Sequence, residues 1–164
     1  MTQNAALLED AYKHAMRRVV SPVAVVTFPT AGRPGGLTCT AICSATTQPP
    51  TLITCVNRKI PASASMIEAG TFTVNFLKDD QSDIARRFSQ VENSEDPFSV
   101  GHWSVNAAGA PVLLGAASTF DCMVERIEEV GGHYVFFGAV AAVQSCDGTG
   151  LLYRDGFFRR LAIE

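Results

Sequence analysis

Gly36-Leu37-Thr38-Cys39-Thr40-Ala41-Ile42-Cys43-Ser44 is the stretch on which the reading of the fold turns. The turn Pro49-Pro50 and a second strand-forming run, Thr51 to Val56, follow it. Strands usually carry larger β-branched and aromatic side chains. A run built from small hydroxyl and thiol residues leaves room for a flat polar ligand to lie against the backbone, within reach of hydroxyls and amides. Leu37 to Ser44 is therefore read as one strand and as a candidate ligand wall. A flavin is the ligand whose shape and polarity it suits best.

Upstream, Val23 to Phe28 reads as a buried strand, and the turn cluster Pro29 to Gly36 joins it to the wall as a hairpin. Leu8, Tyr12, Ala15, Met16 and Val19 recur at spacings of three and four, one apolar helix face, and Arg17-Arg18 suits a helix C-terminus. Ser21-Pro22 stops that helix. Downstream, Pro61 to Ala69 is a short helix, with Pro61 fitted to its first turn and Gly70 to its end. Phe72 to Leu77 alternates as a strand, and Asp79 to Phe88 is a helix, acidic at its start and basic at its end. Val91 to Gly101 is polar and loop-like. Phe120 to Glu129 and His133 to Gln144 flank Gly131-Gly132, a hairpin signal. Leu151 to Tyr153 is a short strand before the tail Phe157-Phe158-Arg159-Arg160. About six or more strands and about three helices, without a βα rhythm, predict a mainly β, antiparallel small barrel with peripheral helices.

The chain has 164 residues, which predicts one domain over 1–164 with a full core of its own. Charged residues make up only 18%, against about 25% in a typical soluble domain. That deficit predicts surface that does not face water, and a homodimer with an apolar interface accounts for it. The formal net charge is −3 and no long basic block occurs, so a nucleic-acid role has no electrostatic support. The N-terminus lacks the pattern of a signal peptide, and no apolar run reaches the ~18 residues a membrane span needs. Five cysteines in an odd set without a C-x-x-C pair predict free, mostly buried thiols in a reducing cytoplasm.

Several chemistries lack their residues. His14, His102 and His133 are far apart and no Cys/His cluster offers metal-ligand spacing, so no metal is expected. There is no G-x-S-x-G, no P-loop and no G-x-G-x-x-G after a strand. A bound nucleotide is thus not held by a Rossmann unit. Glu128 and Glu129 are adjacent in a strand, point to opposite faces and read as solvated or edge charges.

A set of short motifs in fixed order carries a resemblance. They are Ala15-Met16-Arg17-Arg18, Ser21 to Thr27, Gly36 to Ala41, Pro49-Pro50, Cys55-Val56-Asn57-Arg58, Phe72 to Leu77, Ala85-Arg86-Arg87-Phe88, Gly109 to Leu113, Gly131-Gly132-His133 and Leu151 to Arg154. From about Tyr12 to Leu161 the chain resembles the short flavin reductases, the reductase components of two-component monooxygenases. The resemblance implies a flavin-binding split β-barrel and a homodimer. It implies that NADH or NADPH reduces FMN or FAD, and that reduced flavin leaves for a separate monooxygenase. It places Thr38, Cys39, Thr40, Ala41 and Ser44 along the isoalloxazine. Cys55, Val56, Asn57, Arg58, Lys59 and Ser63 would hold the ribityl and phosphate groups, with Arg86, Arg87 and Phe88 near the phosphate or adenine end. His133, Tyr153, Phe157 and Arg159 would serve the nicotinamide nucleotide. Two positions depart from the pattern. Gly132 fills the middle of a motif that is commonly Gly-Asp-His or Gly-Thr-His, and Lys59 stands in a loop that usually carries Ser or Thr.

Hydride transfer asks little acid–base chemistry of a protein, because the cofactors carry the reaction and the protein orients them. No catalytic residue is therefore expected, only positioning. Backbone amides along residues 38 to 41 could stabilise the negative charge of reduced flavin, in the manner of an oxyanion site. The competing reading is a non-catalytic flavin carrier or electron-transfer protein on the same fold. The plain alternatives for single residues are strand threonines on a solvated face, a turn-flanking surface histidine at His133, and arginines at a solvated helix end. Trp103 is read as packing.

Overall fold

The structure is a computed structural model that describes residues 3–89 and 96–162. In chain order the elements are α1 (Gln3–Met16), β1 (Ser21–Pro22), β2 (Ala24–Phe28), β3 (Gly35–Cys39), β4 (Ile42–Thr47), β5 (Pro50–Asn57), α2 (Pro61–Ala69), β6 (Thr71–Phe76) and α3 (Ser82–Ser89). A 3-10 turn, Pro97–Ser99, precedes β7 (Trp103–Val105), β8 (Pro111–Leu113), β9 (Ser118–Val130), β10 (His133–Ser145), β11 (Leu152–Arg154) and β12 (Phe157–Arg159). Of the polar loop expected over 91–101, residues 91–95 lie outside the described residues.

The single strand expected over Leu37 to Ser44 is two strands. β3 and β4 stand at opposite ends of an antiparallel seven-stranded sheet of order β3-β2-β6-β9-β10-β5-β4, and only Thr40 and Ala41 join them. Two residues span a few ångströms, so the sheet must roll until its ends approach. They do: the Cys55 N–H donates to the Ala41 carbonyl at 3.0 Å, and Cys39 Sγ lies 3.4 Å from Thr54 Oγ1. No ladder joins β3 to β4, and the result is a split barrel. Strand propensity is continuous across Thr40-Ala41 and carries no sign of a change of partner.

Bulges bend the long hairpin around this barrel. The β9–β10 register shifts at Phe137/Gly138 and at Val140/Ala142. Gly138 is required by packing: a Cβ there would stand 2.5 Å from the Phe72 ring and 2.8 Å from Cys122 Cβ.

Two apolar clusters lie on opposite faces of β2. Ala24, Val26 and Phe28 join Phe72, Val74 and Phe136 inside the barrel, while Val23 and Val25 join Leu77, Ile84, Ala85, Phe88 and Leu113 beneath α3. Burial on both faces explains why β2 is a continuous apolar run and not an alternating one. Each large side chain removed from water contributes about 1.5–3 kcal/mol. α3 buries Ile84, Ala85 and Phe88, and places Asp83 in its first turn and Arg86 and Arg87 in its last, as the macrodipole favours. α2 begins with Pro61 and ends at Gly70 in the left-handed conformation (φ 64°), whose N–H donates to the Ile67 carbonyl.

The outer face of β6 carries buried polar residues. Asn75 Nδ2 donates to the Val25 carbonyl (3.0 Å) and Thr27 Oγ1 (3.1 Å), and its Oδ1 accepts the Leu113 N–H (2.8 Å). The Thr27 hydroxyl donates to the Pro111 carbonyl. Thr73 donates to Asp121 Oδ1 at 2.7 Å and accepts from Asn106 Nδ2 at 3.1 Å. These bonds pin the β7–β8 hairpin to the barrel. No buried side-chain polar atom among the described residues lacks a partner.

The sequence reading ended in a tail. The structure instead forms a C-terminal hairpin of β11 and β12 that pairs with β1, Ser21 opposite Tyr153. Its tight turn, Asp155 (φ 54°) and Gly156 (φ 86°), has two residues of positive φ, as hairpins of this length prefer.

Replacing Asn75 by Ala strands the Leu113 N–H and removes three bonds. The expected loss is ~3 kcal/mol of stability, from typical costs of unsatisfied buried groups. It is measured as a lower urea midpoint at unchanged slope; a loss near zero would mean that the network contributes little.

Candidate functional site

The seam of the barrel is where the predicted wall lies, but its side chains differ in what they offer. Thr38 is half-buried and its hydroxyl donates to the Ala85 carbonyl at 2.6 Å, tying β3 to α3. Cys39 is buried in the inner core, where burial raises its thiol pKa and the Thr54 contact partly offsets this. Its side chain faces away from any surface ligand. Thr38 and Cys39 belong to the ladder with β2, whereas half-buried Thr40 and exposed Ala41 lie between strands. Ser44 is exposed on β4 and lines a separate groove.

At the far end of β5, Cys55 is half-buried and Val56 is core. Asn57 Oδ1 accepts the Lys59 N–H at 2.9 Å and shapes the loop into α2. Ser63 is buried, and its hydroxyl donates to the Ile60 carbonyl at 2.8 Å, so it helps fold the helix start. The Arg58 N–H donates to the Gly132 carbonyl at 3.0 Å. Its guanidinium meets Glu129 at 2.8 Å and lies 5.2 Å from the centroid of the Tyr134 ring. That pair is largely exposed and adds little to stability. Asn57 and His133 are direct partners in the β5–β10 ladder, and His133 is exposed. The loop 57–59 and the hairpin tip 131–133, distant in sequence, thus form one rim.

A second group gathers beside α3. The Arg86 guanidinium sits 5.6 Å from the Phe158 ring centroid, and Arg159 lies 5.1 Å from that of Phe157. Tyr153 packs edge-on against Phe158, centroids 5.7 Å apart. A cavity of about 300 Å³ opens here between Ser82, Arg86, Phe158, Arg159, Arg160 and Asp79. Arg160 Nε is 3.7 Å from Asp79 Oδ2. Three guanidiniums against one carboxylate suit a phosphate. Arg87, next on α3, is half-buried. Phe88 is buried against Phe98 and Trp103, with ring centroids 4.9 and 5.4 Å away, which also confirms Trp103 as a packing residue. Among the described residues no hydrogen bond or ring contact joins His133 to Tyr153, Phe157 or Arg159, so the predicted nucleotide residues divide between two places. Arg160, Ser82 and Asp79 are not singled out as site residues from the sequence, and of the pair Phe157-Phe158 it is the second that lines the cavity. The alternation of β12 sets Phe158 inward and Phe157 outward.

No group of three or more metal-ligating side chains occurs among the described residues. All five cysteines are free, but the expectation that they are mostly buried needs correction. Cys43 and Cys146 are exposed, and Cys55 is intermediate. Burial pushes the Cys122 thiol up to about 12, with Asp121 adding to the shift.

The chain is similar to proteins that are already known. The model of the flavin reductase like domain matches residues 16–162. A Pseudomonas syringae protein named FMN reductase (NADH) RutF is 35% identical over 152 residues, which cover 93% of this chain and 85% of that one. The solved structure of BorF, the flavin reductase component of a bacterial two-component tryptophan halogenase, superposes with a TM-score of 0.87 at 28% identity, covering 95% of this chain and 99% of its own. SgcE6, an NADH:FAD oxidoreductase of Streptomyces globisporus solved with NAD and FAD fragments, gives 0.87 at 28% identity, with 94% and 93% covered.

Thiol labelling of the folded protein should modify Cys43 and Cys146 quickly, and Cys39 and Cys122 only on unfolding. The folded Cys122 holds its proton more tightly than the unfolded thiol does. Its contribution is therefore complete below the ordinary thiol value of 9.0 and is lost as pH rises toward about 12. Urea midpoints should fall over that range, and less steeply in Cys122→Ala; equal slopes would remove Cys122 as the cause.

Proposed function

The chain belongs to the flavin reductase like domain family, and from that premise we propose that it transfers hydride from NADH to a flavin, FMN or FAD, and releases the reduced flavin to a separate monooxygenase. The observation that carries this reading is the meeting of the Asn57–Lys59 loop with His133 across the β5–β10 ladder. It sets a candidate flavin loop and a candidate nicotinamide residue on one rim. A carrier that only stores flavin has no use for the second.

The donor set fits the ligands. When bound side by side, the two cofactors supply the hydride chemistry themselves. The protein's part is to bind, orient and exclude water. Thr40 and Ala41, held at the seam by the Ala41–Cys55 bond, present backbone along the wall. Cys39, Val56, Ser63 and Phe88 have their side chains committed inward, so their service to a ligand is through backbone and shape. Lys59 is exposed beside the loop and offers charge to a phosphate. Arg86, Arg87, Arg159 and Arg160 offer positive charge to a second anionic end of the ligands, with Tyr153 and Phe157 as aromatic surfaces of the adjoining hairpin. His133 positions the nicotinamide nucleotide by hydrogen bonding or stacking. No side chain is asked to move a proton.

The functional unit in this reading is a cytoplasmic homodimer. Its support is the low charge content and the exposed apolar residues of the single chain, among them Leu8, Met123, Val143 and Leu161. No helix among the described residues is long and apolar enough to cross a membrane.

NADH consumption under air, with FMN or FAD added, tests the activity. Turnover that saturates in added flavin is the expected result. Flavin binding without turnover, with NADPH failing as well, would replace the reductase by a carrier. His133→Ala should raise KM for the nicotinamide nucleotide about tenfold, the equivalent of one hydrogen bond of ~1.4 kcal/mol, and leave KM for flavin nearly unchanged. An equal rise in both would remove His133 from that role.

A further inference from the structure

Arg58 lies in the loop after β5, and each hydrogen bond, ion pair and ring contact of its guanidinium among the described residues runs to the tip of the β9–β10 hairpin. Nη1 donates to the Gly131 carbonyl at 3.4 Å and meets Glu129 Oε2 at 2.8 Å. The guanidinium carbon lies 5.2 Å from the centroid of the Tyr134 ring. The backbone N–H adds a bond to the Gly132 carbonyl at 3.0 Å. One arginine thus holds the chain on both sides of His133.

The turn needs such a hold. Gly131 (φ 54°) and Gly132 make the whole connection between β9 and β10. No atom of another segment lies within 4 Å of where a Cβ on either would stand. Glycine has more conformational freedom than any other residue, so a pair of them without packing leaves the turn loose unless something else fixes it. The ladder fixes the backbone of His133 against Asn57, and Arg58 fixes the residues around it.

Strand alternation keeps this clamp away from the ligand side. Tyr134 pairs with Glu129 and Val56, whereas His133 pairs with Val130 and Asn57. Tyr134 and Glu129 therefore share one face of the hairpin, and His133 and Asn57 share the other. The guanidinium sits with Tyr134 and Glu129. Its charge is met by the Glu129 carboxylate, and the adjoining exposed Lys59 is the cation left for a phosphate.

We propose that Arg58 is a positioning residue for the nicotinamide nucleotide: it clamps the Gly131-Gly132 turn so that His133 is presented in one orientation, and it does not bind the flavin phosphate. The inference rests on the proposed role of His133 and replaces the phosphate role that the resemblance implies for Arg58. Because the Arg58–Glu129 pair is largely exposed, its loss is felt in the turn and hardly in the stability of the fold.

The test compares the full-length wild type with Arg58→Ala. Arg58→Met, which keeps the apolar stem, takes its place if the alanine form does not fold. The melting temperature should move by about 3 °C at most. Amide hydrogen exchange, measured without cofactors, reads the clamp itself: residues 131–133 should exchange about fivefold faster in the variant. Kinetics reads its purpose. KM for NADH should rise about fivefold, less than in His133→Ala because the ladder still holds the backbone, while KM for FMN stays where it was. The preference for FMN over riboflavin, which lacks the phosphate, should be intact. Added to His133→Ala, Arg58→Ala should raise KM for NADH by less than about twofold more, since both act through one contact.

Unchanged exchange at the turn would overturn the clamp. So would a weakened preference for FMN over riboflavin, which would return Arg58 to the phosphate, or a fully additive double variant, which would give Arg58 a role apart from His133. Faster exchange with His133→Ala leaving KM for NADH at its wild-type value would instead remove the nucleotide role of His133, and the purpose of the clamp with it. Exchange needs no turnover, so the two failures are told apart.

Discussion

Thr40 and Ala41 are the whole connection between two strands that stand at opposite ends of a seven-strand order, and the remainder of the architecture follows from that short span. The chain cannot make the link with a flat sheet. It must curl, bring the end of β3 to β5 and close the seam through the Ala41–Cys55 backbone bond and the Cys39–Thr54 contact. Small side chains at this point matter for a physical reason. Cys39 fits inside the rolled sheet, and Thr38 can turn its hydroxyl to α3 without a bulky group blocking the approach. The segment that looks like a ligand wall in the sequence is also the hinge of the roll, and the two demands favour the same kinds of residue.

Around that seam the molecule is built in two layers that share β2 and β6. The inner faces of these strands fill the barrel with Val26, Phe28, Phe72 and Val74. Their outer faces carry Val25 to the cluster beneath α3, and Asn75 and Thr27 to the β7–β8 hairpin. Directed bonds do on the outer side what apolar contact does inside. They fix where the β7–β8 hairpin sits, while the Thr38–Ala85 bond ties α3 to β3 and pairing with β1 holds the C-terminal hairpin. The rim formed by Asn57 and His133 is positioned independently, by the β5–β10 ladder. The rim and the arginine-lined cavity are thus anchored to different parts of the fold.

Much of this was legible in the amino-acid order. Pro61 and Gly70 bracket α2 as punctuation predicts, and Gly131-Gly132 turns the long hairpin where two flexible residues allow it. The charges of Asp83, Arg86 and Arg87 mark the ends of α3. What was hidden depended on partners. Nothing in Thr38 to Ser44 announces that its first half pairs with β2 and its second with β5, because strand propensity is a property of residues and pairing is a property of distances. The side-chain direction of Cys39 and Ser63 was hidden for the same reason. Each is a small polar residue in a plausible ligand segment, yet each spends its polar atom inside the protein. Phe157 and Phe158 could not be told apart by type, and only the register of β12 turns the second toward Arg86.

The two-residue turn between β9 and β10 has a bearing on how the chain reaches this state. That hairpin is local and can form as soon as its own residues are available, whereas β5 must find β10 and β6 must find β9 across long intervening segments. Closing large loops before any contact rewards them slows folding. During synthesis, β5 and β6 leave the ribosome before β10 and β9, the strands that complete their pairing. Leu52 and Val74 then wait in water until the C-terminal half arrives. The long hairpin acts as the template on which the earlier strands are collected, and chains interrupted before Ser145 would carry unpaired apolar strand edges open to aggregation.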